Sequence, residues 1–322
     1  MHKLVRCCAV LAALGGSACA RETAPPAAAR GDVRIAVVTH GQSADPFWSV
    51  VANGVKDAAA ELGVRADYQA PTHFNMVELS QMIDAVIAAR PSALVVSIPD
   101  PSALSASIKR AVAAGIPVVS INSGGDVSAS LGALAHVGMS EYDAGLAAGE
   151  RLATAGARSV LCVNHEVGNL ALDQRCSGLA AALTKAGGHS RVLAVELADP
   201  DESQQRVTAA LRSDPAIDAV LTLATAGAEP ALAAIQQLNR PTMRFATFDL
   251  SPRVLEAVRD GQALFAIDQQ QYLQGYLPIV LLTKYLETLT MPGGGRVVAT
   301  GPGFVTRDQV ARVIELSARG LR

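Results

Sequence analysis

The chain has 322 residues, half of them hydrophobic, enough to bury a sizeable core in two lobes or domains. A formal net charge of −2 provides no basic surface balance with which to hold nucleic acid. The apolar content comes in short runs of Ala and Val. No stretch beyond the N-terminal leader is an uninterrupted apolar run of membrane-spanning length.

The N-terminus, MHKLVRCCAVLAALGGSACA, places Lys3 and Arg6 ahead of an apolar run from Cys7 to Leu14 and then small residues. That is the order of a secretory signal. Two endings compete. Gly16-Ser17-Ala18-Cys19 resembles a lipobox in which Cys19 is lipidated, with Gly16 where Leu is usual; Ala18-Cys19-Ala20 would serve as an ordinary small-residue cleavage site. We assign residues 1–19 to the signal and 20–32, rich in Pro and Ala, to a flexible tether suited to a lipid-anchored stalk. Of five cysteines, only Cys162 and Cys176 reach the folded body. They either pair in an oxidising compartment or act as two small buried hydrophobes, and both readings stay open because sequence does not fix their separation.

From Val33 onward, short β-rich runs alternate with amphipathic helical runs. VRIAVVT precedes a helix from about Pro46 to Leu62, and RADYQ precedes one in which Met76, Leu79, Met82, Ile83, Val86 and Ile87 recur at helical spacing. ALVVSI leads to a helix that stops at Ala114-Gly115, and IPVVSIN closes the series. A second series starts near Glu141 and continues through SVLCVN, RVLAVE, AVLTL, RFATFD and LFAIDQ. Strands and helices alternating in this way predict right-handed βαβ units and parallel sheets, here two similar doubly wound α/β lobes. The strands read as continuous apolar runs, as expected when helices cover both faces.

In open sheets of this type ligands bind beyond the carboxyl ends of the strands. That rule selects the loops 39–47, 98–102, 122–125, 164–169, 224–229, 248–251 and 268–271. The chain has few aromatics, and Phe47 with Trp48, the only Trp, sits at a helix start just after the first strand. Flat rings in a strand-end loop suit flat ligands. Tyr276 is read as core. Asp45, Asn122, Asn164, Glu166, Asp249 and Gln269 recur at the same strand ends; each alone would suit a helix cap, and their recurrence points to binding. Arg175 lies in the first turns of a helix, where the dipole disfavours a cation, so it is expected opposite a ligand or a carboxylate.

Enzyme signals in the sequence are weak: it has no Gly-x4-Gly-Lys phosphate loop, no two-histidine metalloprotease helix and no Gly-x-Ser-x-Gly elbow. CVNHE lacks the spacing of a zinc site and is read as a surface loop. The six histidines show no paired arrangement in sequence.

These residues resemble the bacterial periplasmic sugar-binding proteins of the ribose-binding type, solute receptors of ABC transporters, over nearly the whole mature chain. DPFWSVVANGVKDAAAELGV is similar to the first loop and helix of that family, and ALSASIKRAVAAGIPVVSIN to its third helix and following strand. DQRCSGLAAAL resembles the segment with a ligand-contacting arginine, here Arg175. RFATFD resembles the strand ending in a Phe-Asp pair, here Phe248 and Asp249. AIDQQQYLQGYL resembles the strand end where a glutamine, here Gln269, contacts the sugar, and GPGFVT the final crossover. Two positions depart from the pattern: Ile98-Pro99 stands for Asn-Pro, and Asn122-Ser123 for Asp-Arg.

The resemblance implies a type I periplasmic binding protein fold with a three-strand hinge. Lobe one would span 33–136 plus 270–300 and lobe two 137–269 plus 301–322, with crossovers near Ala135–Gly138, Gln269 and Gly301. It implies a monomeric, periplasmic, non-enzymatic receptor, without cofactor or metal, that delivers a small polar, sugar-like solute to an ABC permease. Its membrane contact would be the Cys19 anchor. The alternatives are presentation of the solute to a chemoreceptor or sensor kinase, and a less polar ligand. The expected ligand contacts are Asp45, Phe47, Trp48, Asn122, Asn164, Arg175, Phe248, Asp249 and Gln269, with Gln270 and Gln271 satisfying hinge backbone and capping a helix that begins at Tyr272.

Overall fold

The computed structural model describes residues 30–41, 45–195, 199–294 and 296–322. The signal at 1–19, Cys19 and residues 20–29 of the tether lie outside the described residues. The first half runs β1 (Arg34–Val38), α1 (Pro46–Leu62), β2 (Arg65–Gln69), α2 (Met76–Ala88), β3 (Ala93–Ser97), α3 (Pro101–Ala113), β4 (Val118–Ile121), α4 (Gly125–Ser128) and β5 (Ala135–Gly138). The second runs α5 (Glu141–Thr154), β6 (Ser159–Asn164), α6 (Leu170–Lys185), β7 (His189–Ala194), α7 (Pro200–Ser213), β8 (Ala219–Thr222), α8 (Thr225–Gln237), β9 (Arg244–Phe248), α9 (Pro252–Arg259) and β10 (Phe265–Asp268). The chain ends with α10 (Gln271–Thr288), β11 (Val297–Ala299), β12 (Gly303–Val305) and α11 (Val310–Ser317).

Helix starts follow their sequence signals. The Asp45 carboxylate accepts the Phe47 N–H ahead of Pro46, Asp100 does the same for Ser102 and Ala103 ahead of Pro101, and Asn169 accepts from Ala171. Each satisfies an amide that the first helical turn leaves free.

The strands form two six-stranded sheets, in the order β2-β1-β3-β4-β5-β11 and β7-β6-β8-β9-β10-β12. All neighbours are parallel except β12, which runs antiparallel to β10. This is two doubly wound α/β lobes, as the alternation of elements predicts. Central strands such as β3 and β6 are buried along their whole length, whereas the edge strand β2 is half-exposed or exposed throughout. Each sheet therefore separates two apolar layers: Val37, Trp48, Val51 and Ile279 against Val38, Leu79, Ile83 and Ile108 in lobe one, and Leu161, Val207 and Phe245 against Leu152, Leu179 and Phe248 in lobe two.

One helix pair in each lobe approaches closely enough to require glycine at the crossing. A Cβ on Gly54 would lie 2.1 Å from the Tyr272 carbonyl oxygen, and one on Gly178 2.1 Å from that of Tyr142. The first crossing docks α10 on α1, returning the chain to lobe one; the second joins α5 to α6. The chain passes between sheets three times: after β5 at residues 139–140, after β10 at 269–270 and after β11 at 300–302. The first passage lies near Ala135–Gly138, as expected: those residues pair with β4 and β11 as strand β5, and the chain leaves the sheet just after Gly138.

Candidate functional site

In both lobes the strand order reverses at one point, between β1 and β3 and between β6 and β8. A crevice opens beyond the carboxyl ends of the strands at such points. The two crevices face each other. Between them lies a cleft lined by residues of both lobes, the usual place for a small-molecule site.

Lobe one contributes an aromatic corner. Phe47 and Trp48 follow the Asp45 cap and meet edge to face with centroids 5.0 Å apart, and His40 packs on Trp48 at 4.9 Å. The indole lies flat against Gly41, where a Cβ would fall about 2.0 Å from ring atoms, so only glycine leaves room for it. Asn122 and Ser123 complete this wall at the end of β4. Asn122 adopts φ 60°, a left-handed conformation that Asn tolerates better than most residues.

Lobe two contributes the charged wall. Arg175 on α6 is buried, and its guanidinium is held from three sides. Nε donates to Glu141 Oε2 at 2.6 Å, Nη1 to the Leu223 carbonyl at 3.0 Å and Nη2 to Gln269 Oε1 at 2.9 Å. The plane lies 4.4 Å from the Phe248 ring centroid. The expectation that Arg175 faces a carboxylate is met by Glu141, at the first position of α5 just past the interlobe passage. Gln269 in turn donates to Asp249 Oδ1 at 2.5 Å and accepts weakly from Asn122 at 3.4 Å. It thus ties both walls together at the hinge.

Burial sets the protonation states. It raises the Asp249 and Glu166 carboxyls to about 7, with Arg175 opposing the rise for Asp249 and the Asn169 amide for Glu166. Asp45 is raised to about 6 by burial, with the Phe47 N–H opposing. Burial lowers His40 and His165 to about 3. Both imidazoles are therefore neutral at neutral pH.

Seven of the nine expected contacts line the cleft: Asp45, Phe47, Trp48, Asn122, Arg175, Asp249 and Gln269. Asn164 and Phe248 do not. Asn164 turns back on its own segment, accepting from the Glu166 N–H and donating to Asp173, and Phe248 lies beneath Arg175 in the core. CVNHE, read as a surface loop, is instead buried, with His165 and Glu166 on the cleft wall. His40 joins them, so two histidines unrelated by spacing share one site. Asn169 caps α6 and holds Glu166 Oε2 at 2.8 Å. The signal for Glu166 was its place among the strand-end polar residues, and position just past β1 marks His40. Nothing in the sequence marks His165 beyond its neighbour.

The three glutamines also sort differently. Gln270 sits before α10 with φ 56° and makes no side-chain cap; its N–H donates to Asp268 at 2.6 Å. Gln271, not Tyr272, begins the helix. The hinge backbone is held by Gln274, whose amide donates to the Gln269 carbonyl at 3.1 Å and to Thr300 at 3.3 Å. Tyr276 packs its ring against the lobe-one core while its hydroxyl donates to Glu61 at the surface.

Cys162 on β6 and Cys176 on α6 form a disulfide with Cα atoms 6.0 Å apart, next to Arg175. Among the described residues, no His, Cys, Asp and Glu cluster could hold a metal ion, and no helix is long and apolar enough to cross a membrane.

The family model described as "Periplasmic binding protein domain" matches residues 35–289. A carbohydrate transporter from Acidothermus cellulolyticus, solved in complex with myo-inositol, is 37% identical, covers 90% of this chain and 99% of its own, and superposes with a TM-score of 0.85. A periplasmic sugar-binding protein of an ABC sugar transporter from Legionella pneumophila is 26% identical over 84% of this chain and 99% of its own, with a TM-score of 0.78. The xylose/arabinose-binding protein XylF of Sulfolobus acidocaldarius is 24% identical over 296 residues, 86% of this chain and 72% of that protein.

Proposed function

The chain belongs to the periplasmic binding protein domain family, and from that premise we propose that it is an extracytoplasmic receptor that captures a sugar or cyclitol between its lobes and delivers it to an ABC permease. The observation that carries this reading is the facing pair of crevices, one presenting aromatic rings and the other fixed polar groups. Aromatic faces cover the apolar C–H surface of a sugar ring, while carboxylates, amides and a guanidinium take its hydroxyls. The relatives bound to or named for sugars and myo-inositol add support.

Lobe one is taken as 33–136 plus 270–300, extended to Gly138 by β5, and lobe two as the remainder up to 322. This division is supported by the sharing of strands between the two sheets. Closure about the three passages would present both lobes to the permease as one surface. Ligand drives it only through tighter binding to the closed form. Both walls of the cleft come from one chain, which supports action as a monomer. Export and a lipid anchor on Cys19 are supported by the leader sequence.

A binding rather than catalytic role is supported by the placement of Ser97 beside His40. The Ser97 hydroxyl is fully buried and is not among the groups that line the cleft, so it is not placed to attack a ligand there. A thermal-shift screen of pentoses, hexoses, cyclitols and nucleosides tests the proposal. A ligand at a hundred times its dissociation constant adds about 2.7 kcal/mol of stability. At least one sugar or cyclitol should raise the melting temperature; a response confined to nucleosides or other solutes would contradict it.

A further inference from the structure

His40 and Glu166 occupy equivalent places in the two lobes, each just beyond the strand at its lobe's switch point. His40 Nε2 and Glu166 Oε2 face each other across the cleft at 3.9 Å, too far for a hydrogen bond. Both side chains are buried and line the cleft.

The hydrogen-bond pattern around His40 fixes what it offers. Ser97 Oγ accepts the His40 backbone N–H at 2.9 Å and lies 2.8 Å from Nδ1. A hydroxyl has one proton to give. Among the described residues the ring nitrogen is the only acceptor bonded to this fully buried oxygen, so the Ser97 O–H donates to Nδ1. In a neutral imidazole the proton then resides on Nε2, aimed at the cleft. Opposite it, Glu166 offers carboxylate oxygens, one of them steadied by Asn169.

We propose that His40 and Glu166 form a donor–acceptor pair that reads one hydroxyl of the ligand, accepting from Nε2–H and donating to the carboxylate, and so selects a polyhydroxylated ligand that bears no carboxylate or phosphate. An oxygen about 2.8 Å from each of two atoms 3.9 Å apart is the apex of a feasible triangle. Arg175 and Asp249 make a second donor–acceptor pair on the cleft wall. The charge balance of the lining points the same way. Asp45, Glu166 and Asp249 face the cleft, whereas Arg175, the one cationic side chain among the described lining residues, already holds Glu141. Above about pH 7, where these carboxyls have lost their protons, an anionic ligand would meet acidic groups beside a guanidinium already engaged by Glu141, the Leu223 carbonyl and Gln269.

This inference rests on the sugar-receptor reading, and its test separates the two. In ligand-free protein, nitrogen NMR of the His40 ring should show the Nε2–H tautomer, and Ser97→Ala should lose that preference; an Nδ1–H tautomer in the wild type overturns the inference and leaves the receptor reading standing. Calorimetry then uses myo-inositol, D-glucose, D-ribose and D-arabinose, alongside myo-inositol 1-phosphate and D-glucuronate. The anionic compounds should bind at least about a hundredfold more weakly than their neutral counterparts. His40→Phe should weaken the neutral ligand by about tenfold or more, with His40→Gln, which keeps an N–H donor, recovering most of that loss. Melting temperatures of the variants establish that they are folded. Binding by folded His40→Phe within twofold of wild type, or equal binding of an anionic counterpart, overturns the inference. Silence of the wild type toward every neutral probe overturns the receptor reading and the inference with it.

Discussion

Replacing Arg175 by Met tests whether the buried network organises lobe two. The guanidinium makes three hydrogen bonds, to α5, to the end of β8 and to the hinge glutamine, and all are lost together. Glu141 is then left buried with no cation, and its Oε1 already lacks a partner. Breaking one side of a buried pair costs about 3–5 kcal/mol, far more than an exposed pair would. Burial raises the Glu141 pKa even with Arg175 opposing the rise; without Arg175 it rises further. A raised carboxyl pKa favours the folded state at low pH and loses that contribution as pH climbs through the folded value. The deficit of Arg175→Met should therefore be largest near pH 8 and shrink toward pH 5. Combining it with Glu141→Leu removes both charges, and the double variant should be more stable than the sum of the single losses by about 1–3 kcal/mol. Urea unfolding followed by circular dichroism at both pH values measures this. A cost below about 1 kcal/mol at pH 8, or strict additivity, would refute the reasoning.

The Cys162–Cys176 bond closes a loop at a sequence separation of 14, for which chain entropy predicts about 3 kcal/mol of stabilisation. Reductant, or the double Ala variant, should lower the urea midpoint accordingly, and an unchanged midpoint would contradict that estimate. Asp249 is raised to about 7, so the folded protein holds a proton that the unfolded chain has released above about pH 4. That stability is complete below the unfolded value and is lost as pH rises through about 7. Between pH 5 and 8 the wild type should therefore lose about 2–3 kcal/mol relative to Asp249→Asn, and parallel stability profiles would count against it.

Much of the fold is legible in the sequence because its signals are local. Asp45-Pro46 and Asp100-Pro101 announce helix starts, and Gly63 and Gly115 their ends. The apolar runs of β3 and β6 announce strands covered on both faces. The strand-end rule locates the cleft, because it depends on topology and not on any one residue. Reading what each strand-end side chain does is harder, since the same residue types cap helices and bind ligands. Asn164 bonds its own loop and Phe248 supports Arg175 from below, and no local pattern separates these roles from cleft contact. His40 and Glu166 lie far apart in the chain and meet only when two lobes face each other. Gln274 is hidden for the opposite reason: it stands one helical turn beyond the run of glutamines at Gln269, with no local signal that its amide holds the hinge.

The central claim is that the cleft binds one small sugar or cyclitol between Trp48 and the Arg175–Asp249 wall. Titration calorimetry of wild type and Trp48→Ala with the neutral probe that most raises the melting temperature tests it most directly. The wild type should bind one ligand per chain, and the folded variant at least about tenfold more weakly, since a stacked aromatic contributes roughly 1–3 kcal/mol. Equal affinity of the two proteins would place the ligand elsewhere and contradict the account.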